Sequence, residues 1–191
     1  MKSYKEIQGW CDFEKLYEHY SNQLEDHHTF VEVGVWKGRS ICFLGQLLKI
    51  KQKKPRVFAI DSFKGSTDEE KHIKEVEQLG GSLLPLFKEN LKKLSLEDLI
   101  EPIEADSAEA ANLFEDGSVS ILFIDANHSY EGVLKDLEAW YPKISKGGLI
   151  SGHDIQGEGV TKALTEFAGV TGKNKQVHLL EPSCWGIRIE K

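Results

Sequence analysis

The sequence predicts an α/β protein: a doubly wound, mostly parallel sheet with helices on both faces and a reversed last strand. Three observations predict it. Short apolar, β-branched or aromatic runs recur along the chain at residues 30–35, 57–60, 119–124 and 149–151. The segments between them space their apolar residues three and four apart, as one face of a helix requires. The final two runs are separated by a turn too short for a crossover, which forces an antiparallel pair. Continuous apolar strands joined by helical crossovers imply a sheet covered on both faces, because each right-handed crossover lays its helix against one of them.

Taken in order, residues 1–29 form an N-terminal helical segment ahead of the main domain, 30–191. The run 30–35 is the first strand, and Ile41, Leu44, Leu47 and Leu48 mark the helix after it. The second strand is 57–60. The stretch 64–99 that follows is long and highly charged, and Gly80-Gly81 and Pro85 interrupt it. It is expected to be an insertion, either an elaborated crossover helix or a lid over the ligand crevice. Residues 100–104 make a third strand, 108–114 a helix, and Asp116-Gly117 a turn before the strong strand 119–124. Val133, Leu134, Leu137, Trp140 and Tyr141 form the stripe of the next helix, and 149–151 is the fifth strand. A helix over 160–167 leads to the closing hairpin, 176–180 and 184–190, around Glu181-Pro182-Ser183.

At about 150 residues per domain, a chain of 191 residues is one domain with at most a short appendage. The net charge of −7 makes a nucleic-acid backbone an unfavourable partner, and the one locally basic stretch, 49–54, reads as a solvated helix end. With 40% apolar and 29% charged residues, no stretch approaches the roughly 18 apolar residues of a membrane span. The first twenty residues alternate charge with aromatics and hold no apolar core of a secretory signal. Cys11, Cys42 and Cys184 are odd in number and widely spaced, against both a disulfide framework and a zinc site. A cytoplasmic protein is expected.

Ligands of open α/β sheets bind beyond the carboxyl ends of the strands, so the residues just after each strand carry the functional reading. After the first strand stands Glu32-Val-Gly34-Val-Trp36-Lys-Gly38-Arg-Ser40. Gly34 would allow close approach to a ligand, Gly38 tight packing at the loop-to-helix junction, and Ser40 starts the helix. A dinucleotide fingerprint would read GxGxxG; Trp36 occupies its second glycine and would crowd a pyrophosphate, so an NAD-dependent oxidoreductase is disfavoured. The acid Glu32 instead suits a ligand with a cationic amino group. Asp61-Ser62 ends the second strand, where an acid accepts ribose hydroxyls, the bland alternative being a turn aspartate. Asp106-Ser107 could meet an adenine edge, or cap the helix at Ala108, or both.

Glu32-x-Gly34-x-x-x-Gly38, then Asp61, then Asp106-Ser107, resembles the binding signature of the Rossmann-type (class I) S-adenosylmethionine-dependent methyltransferases. Within them, Phe123-Ile-Asp125-Ala-Asn-His128-Ser-Tyr130-Glu-Gly, then Gly147-Gly148 and Gly152-His153-Asp154, resembles the subgroup of macrolide-sugar O-methyltransferases and cephalosporin hydroxylase. The resemblance runs over residues 30–155. It implies a seven-stranded sheet, an S-adenosylmethionine site, and often a divalent cation, Mg²⁺ or Mn²⁺.

Asp125 ends one strand, His128 follows in the loop, and His153-Asp154 ends the next strand. Neighbouring strands would bring all four side chains to one volume. Asp125, His153 and Asp154 could supply half of an octahedral shell, although the subgroup commonly has a glutamate where His153 stands; His153 could equally only orient Asp154. His128, with an ordinary pKa near 6.5, is the expected general base beside Asp125, the alternative being a helix-start residue bonded to backbone. The other histidines, including His72, are assigned to the surface. The expected function is O-methylation of a small hydroxylated metabolite, such as a sugar or polyketide-like compound. The segments 1–29 and 64–99 would set substrate choice and any homo-oligomer contacts. The alternative from another class is a nucleoside-binding protein without turnover.

Overall fold

A computed structural model describes residues 3–65, 70–170 and 177–190. Its centre is a seven-stranded sheet in the order β3-β2-β1-β4-β5-β7-β6. The strands are β1 (Thr29–Val33), β2 (Arg56–Asp61), β3 (Ile100–Glu104), β4 (Val119–Ile124), β5 (Ile144–Gly152), β6 (Val177–Glu181) and β7 (Cys184–Arg188). β1 to β5 run parallel, and β7 lies antiparallel to both β5 and β6, so the reversed last strand is as expected. Of the expected sixth run, Gln176 lies outside the described residues. The strand order reverses direction between β1 and β4, and the crevice of such a sheet opens at their carboxyl ends.

Both faces are covered. On one lie α1 (Glu14–Gln23), α2 (Arg39–Ile50) and α4 (Leu84–Leu94), which bury Leu16, Tyr17, Tyr20, Ile41, Leu44, Phe87 and Leu91 against Phe30, Val57, Ala59 and Phe123. On the other, α5 (Ser107–Ala110), α6 (Tyr130–Trp140) and α7 (Glu158–Val170) bury Val133, Leu137, Trp140, Val160 and Phe167 against Val31, Val33, Leu122 and Ile124. The period-two alternation of β1 therefore sends Phe30 and Glu32 to the α1/α2 face and Val31 and Val33 to the other.

The stretch 64–99 holds two helices, with residues 66–69 outside the described set. α4 is the crossover: Phe87, Leu91 and Leu94 are buried at helical spacing, and Pro85 sits in its first turn, where a missing N–H costs nothing. α3 (Glu70–Gln78) buries Val76 alone among its residues of described burial, and lies beside the loop after β1. β5 begins at Ile144, five residues before the expected run, because the pairing with β4 slips between Val119 and Ile121 and absorbs Gly147-Gly148 as an irregularity. The N-terminal segment packs onto the same core, through Tyr4, Ile7, Phe13 and Leu24 as well as α1.

Candidate active site

A crevice of about 730 Å³ opens at the carboxyl ends of the strands. Gly34, Ser40, Asp61 and Ser62 line it from β1, α2 and β2; Asp106 and Ser107 follow β3; Asp125, His128, His153 and Asp154 follow β4 and β5. Its volume lies in the upper part of the range of about 300–1,000 Å³ found for small-molecule sites.

Gly34 marks the point where the tips of β1 and β4 meet. A Cβ there would lie 2.2 Å from the Asp125 carbonyl oxygen and 2.6 Å from Cα of Ala126, at φ +85°. Its glycine is thus demanded by the neighbouring backbone, whatever the ligand. Gly38, at φ +89°, packs against Phe87, which a Cβ would approach to 2.6 Å. This is the tight junction expected of it, but it faces α4 and does not line the crevice.

Glu32 also stays out of the crevice, a correction to its expected contact with a cofactor amino group. The alternation of β1 buries it completely between α1 and α2, where it accepts from Tyr17 Oη at 2.9 Å and from Ser40 Oγ. Burial pushes its carboxyl up to about 8 against those two hydrogen bonds. It ties the N-terminal helix to the start of α2, and Ser40 stands between it and the crevice.

Asp61 is a fixed acceptor at the tip of β2. Its Oδ2 accepts from the Trp36 amide at 2.8 Å and its Oδ1 from the Phe63 amide at 2.7 Å. Burial raises its pKa, and backbone N–H groups of Phe63, Trp36 and Val35 oppose the rise. A carboxylate has about four acceptor positions, so these bonds leave Asp61 capacity to accept from a ligand. Trp36 and Phe63 are held at φ 50° and 54°, unusual for bulky residues, and the two bonds to Asp61 offset that strain. Asp106 caps α5, accepting from Ala108 and Glu109 amides at 3.2 Å each, and pairs with Lys135 at 3.0 Å, which holds its pKa down. The capping role is present. Ser107 Oγ donates to buried Asp136.

The four residues expected to converge do so. His128 Nε2 lies 3.1 Å from Asp154 Oδ2 and 3.6 Å from Asp125 Oδ1, while His153 Nδ1 lies 3.1 Å from Asp154 Oδ2 and 3.5 Å from Asp125 Oδ1. The local chain explains the placement of His128. Asn127 Oδ1 accepts from Ser129 N at 2.7 Å, closing a turn, and Ser129 Oγ caps α6 by accepting from Gly132 N at 3.1 Å. Gly159, where a Cβ would lie 2.3 Å from the His128 carbonyl oxygen, lets α7 press on this loop. His153 is held through its carbonyl, which accepts from Trp185 Nε1 at 2.9 Å.

His153 differs from its expected role as a metal ligand. Its Nε2 meets Asp12 Oδ1 at 2.9 Å, so each ring nitrogen faces a carboxylate. Burial lowers its pKa, but hydrogen bonds to Asp125 and Asp154 outweigh burial and bring it to about 10. Its two ring nitrogens are thus engaged by Asp12 and Asp154. The cation-type group among the described residues is Asp125, His128 and Asp154, whose ligand atoms lie within 4.8 Å of one another. Asp125's hydrogen bond and charge, with the charge of Asp154, raise the His128 pKa against burial; the His153 hydrogen bond lowers that of Asp154.

Several residues of this crevice carried no local signal in the sequence. Gln8 and Trp10 line it from the N-terminal segment. His72, assigned to the surface, stacks on Trp36 with ring centroids 4.0 Å apart. Lys37, beside it, is buried and donates to Gln8 at 2.6 Å and to Glu75 of α3. The alternation of charge and aromatics in the first twenty residues was the available hint.

The sheet order, the single reversed strand and a crevice with an acid at the tip of β2 define a Rossmann-like methyltransferase fold. Three solved structures share it: the O-methyltransferase NovP (TM-score 0.72, 17% identity, 93% of this chain and 79% of that one), the calicheamicin methyltransferase CalS11 (0.63, 15%, 100% and 98%), and an S-adenosylmethionine-dependent O-methyltransferase from Thermotoga maritima (0.63, 13%, 96% and 68%). The chain belongs to the methyltransferase-domain family, whose model matches residues 31–155. Among curated proteins it is similar to the uncharacterized protein R132 of Acanthamoeba polyphaga mimivirus, 30% identical over 144 residues, covering 74% of this chain and 58% of the relative. A 66-residue stretch is 36% identical to the uncharacterized protein y4gI of Sinorhizobium fredii, covering 32% of this chain and 7% of that relative. The chain thus spans less than two thirds of either. Family membership sets aside the oxidoreductase alternative. No described helix is long and apolar enough to cross a membrane.

Proposed function

We propose that the protein transfers a methyl group from S-adenosylmethionine to a hydroxyl oxygen of a small metabolite, and that His128 takes the hydroxyl proton. The observation that carries this reading is the imidazole of His128 held at 3.1 Å from Asp154 and 3.6 Å from Asp125, in the crevice beside the switch point. S-adenosylmethionine supplies, when bound, a methyl group on a sulfonium that an oxygen can displace in line. Asp61 accepts the ribose hydroxyls with its remaining lone pairs. Asp106 and Ser107 border the adenine, and the Gly34 loop runs along the amino-acid end.

An alcohol is a weak nucleophile at neutral pH, so the proton must leave as the C–O bond forms and the C–S bond breaks. With Nε2–H held by Asp154, the lone pair of neutral His128 is on Nδ1, the atom that receives the proton. Asp125 and Asp154 stabilise the imidazolium that results, as an orienting carboxylate does for a catalytic histidine. The acceptor is a small hydroxylated compound of the sugar or polyketide-like kind; the structurally similar CalS11 is a TDP-rhamnose 3'-O-methyltransferase. The three thiols are free, which suits a cytoplasmic setting.

A second reading is favoured by the grouping of donor atoms within 4.8 Å: Asp125, His128 and Asp154 would hold a divalent cation. Two carboxylates and one imidazole fit Mn²⁺ or Mg²⁺ with water completing the shell. The cation would supply positive charge that acidifies the acceptor hydroxyl. The two readings use His128 differently, since a ligating imidazole has no lone pair left for a proton.

Calorimetric titration with S-adenosylhomocysteine, run beside a methyl-transfer assay with and without EDTA, tests them. His128→Ala is expected to bind the nucleoside and to lose about 10²–10⁴ in turnover; full activity in that variant refutes the proton role. Activity lost in EDTA and restored by Mn²⁺ or Mg²⁺ selects the cation. Nucleoside binding by a wild-type chain that transfers no methyl group across a panel of sugars and phenols selects a binding protein.

A further inference from the structure

The N-terminal segment lays a strap along the crevice that methyl transfer as described does not use. At one end Gln8 Oε1 accepts from Lys37 Nζ at 2.6 Å and the Ile7 carbonyl from Arg39 Nη1 at 3.3 Å, both donors lying at the β1–α2 junction. At the other end Asp12 accepts from His153 Nε2 at 2.9 Å and from Ser183 Oγ at 3.0 Å, in the turn between β6 and β7. Between these anchors lie Gly9 and Trp10, and both line the crevice that holds Asp125, His128 and Asp154. Gly9, at φ +139°, turns the backbone against Arg39 and Trp36.

Trp10 has no packing reason to be where it is. Its neighbours in sequence that serve the core, Phe13 and Tyr17, are fully buried, whereas Trp10 is 71% exposed. It stands 6.1 Å from the ring of His72, which is itself stacked on Trp36. A large apolar ring left open on a strap bonded at both ends, within a crevice of polar side chains, is a surface prepared for another ring.

We propose that Trp10 is an acceptor-contacting residue: its indole stacks on the flat face of a ring whose hydroxyl reaches the Asp125–His128–Asp154 group, so that ring-borne hydroxyls are selected over acyclic ones. The inference rests on the methyl-transfer reading and deepens it by naming the acceptor class. The chemistry required, an apolar ring face beside a hydroxyl, is shared by pyranosides and by phenols. Dispersion and the quadrupole of the indole supply the attraction in both cases.

The test uses the full chain with three probes: methyl α-rhamnopyranoside, catechol and the acyclic 1,2-propanediol. Methyl transfer is followed by mass, and S-adenosylhomocysteine affinity by calorimetry. The wild-type chain is expected to methylate one ring probe in preference to the acyclic diol, and which ring it takes separates a sugar from a phenol. Trp10→Ala is expected to raise KM for that probe about tenfold with nucleoside affinity unchanged, and Trp10→Phe to restore most of it. An unchanged KM in Trp10→Ala, equal use of the acyclic diol, or nucleoside binding with neither ring methylated overturns the assignment of Trp10. Absence of nucleoside binding in the wild type overturns the methyl-transfer reading itself.

Discussion

Gly34→Ala is the most direct test of how the crevice is built. The new methyl group would fall 2.2 Å from the Asp125 carbonyl oxygen, 2.5 Å from its carbon and 2.6 Å from Cα of Ala126, where ordinary contact is about 3.5–4.0 Å. The peptide joining Asp125 to Ala126 must therefore retreat by more than about 1 Å. The preceding peptide is anchored by the bond from Asp125 N to Val33 O at 2.8 Å, so retreat strains the pairing of the β1 and β4 tips. A side chain at φ +85° adds about 1–2 kcal/mol of backbone strain and overpacking adds about 1–3, a total loss of roughly 2–5 kcal/mol. Gly117→Ala is the control: φ is +73° but nothing lies within 4 Å, so it should show the backbone strain alone. Urea denaturation of the three chains measures the difference, and calorimetry with S-adenosylhomocysteine measures the site. Equal midpoints for Gly34→Ala and Gly117→Ala, with equal nucleoside affinity, would refute the claim that Gly34 is required by the strand tips.

Asp61→Ala removes the acceptor of the Trp36 and Phe63 amides, each worth about 1–3 kcal/mol when left unpaired. Calorimetry should show at least a tenfold loss of S-adenosylhomocysteine affinity along with reduced stability. Asp136, buried beside Ser107, has its pKa pushed up to about 6 by burial, so the folded chain binds its proton more tightly than the unfolded one. Stability contributed by this group should fall as pH rises from about 4 to 6, by roughly 3 kcal/mol, and stay flat above. The difference in midpoint between wild type and Asp136→Asn across pH 4–8 reads that slope; parallel profiles would contradict it. Asp12→Asn weakens a pair whose acid is 62% exposed, so denaturation should register less than about 1 kcal/mol. A larger loss would mean that the strap is a main support of the fold.

Much of the architecture was legible locally. The run 119–124 coincides with β4, since a nearly unbroken apolar stretch bounded by turns leaves few alternatives, whereas 100–104, Ile-Glu-Pro-Ile-Glu, is legible as β3 only because it completes the alternation of strands and helices. The strand-end positions of Asp61, Asp125, His128, His153 and Asp154 were legible for the same reason: once the strands are known, their carboxyl tips are known. Glu32 was misplaced because its strand alternates faces, and only the docking of α1 reveals that its face is an interior. The start of β5 was missed because Gly147-Gly148 reads as a break until a partner strand absorbs it. His72 was assigned to the surface because the helix bearing it shows no hint in sequence that it lies beside Trp36.

Amino-acid order alone thus determined the succession of strands and helices and which polar side chains cap the strand tips, because both follow from periodicities within a few residues. The three-dimensional fold decided the partners: Asp12 taking the second nitrogen of His153, Tyr17 sealing Glu32, Trp10 bordering the crevice. Charge pairing and burial depend on distances of a few ångströms between residues far apart in the chain, and no local pattern carries that distance.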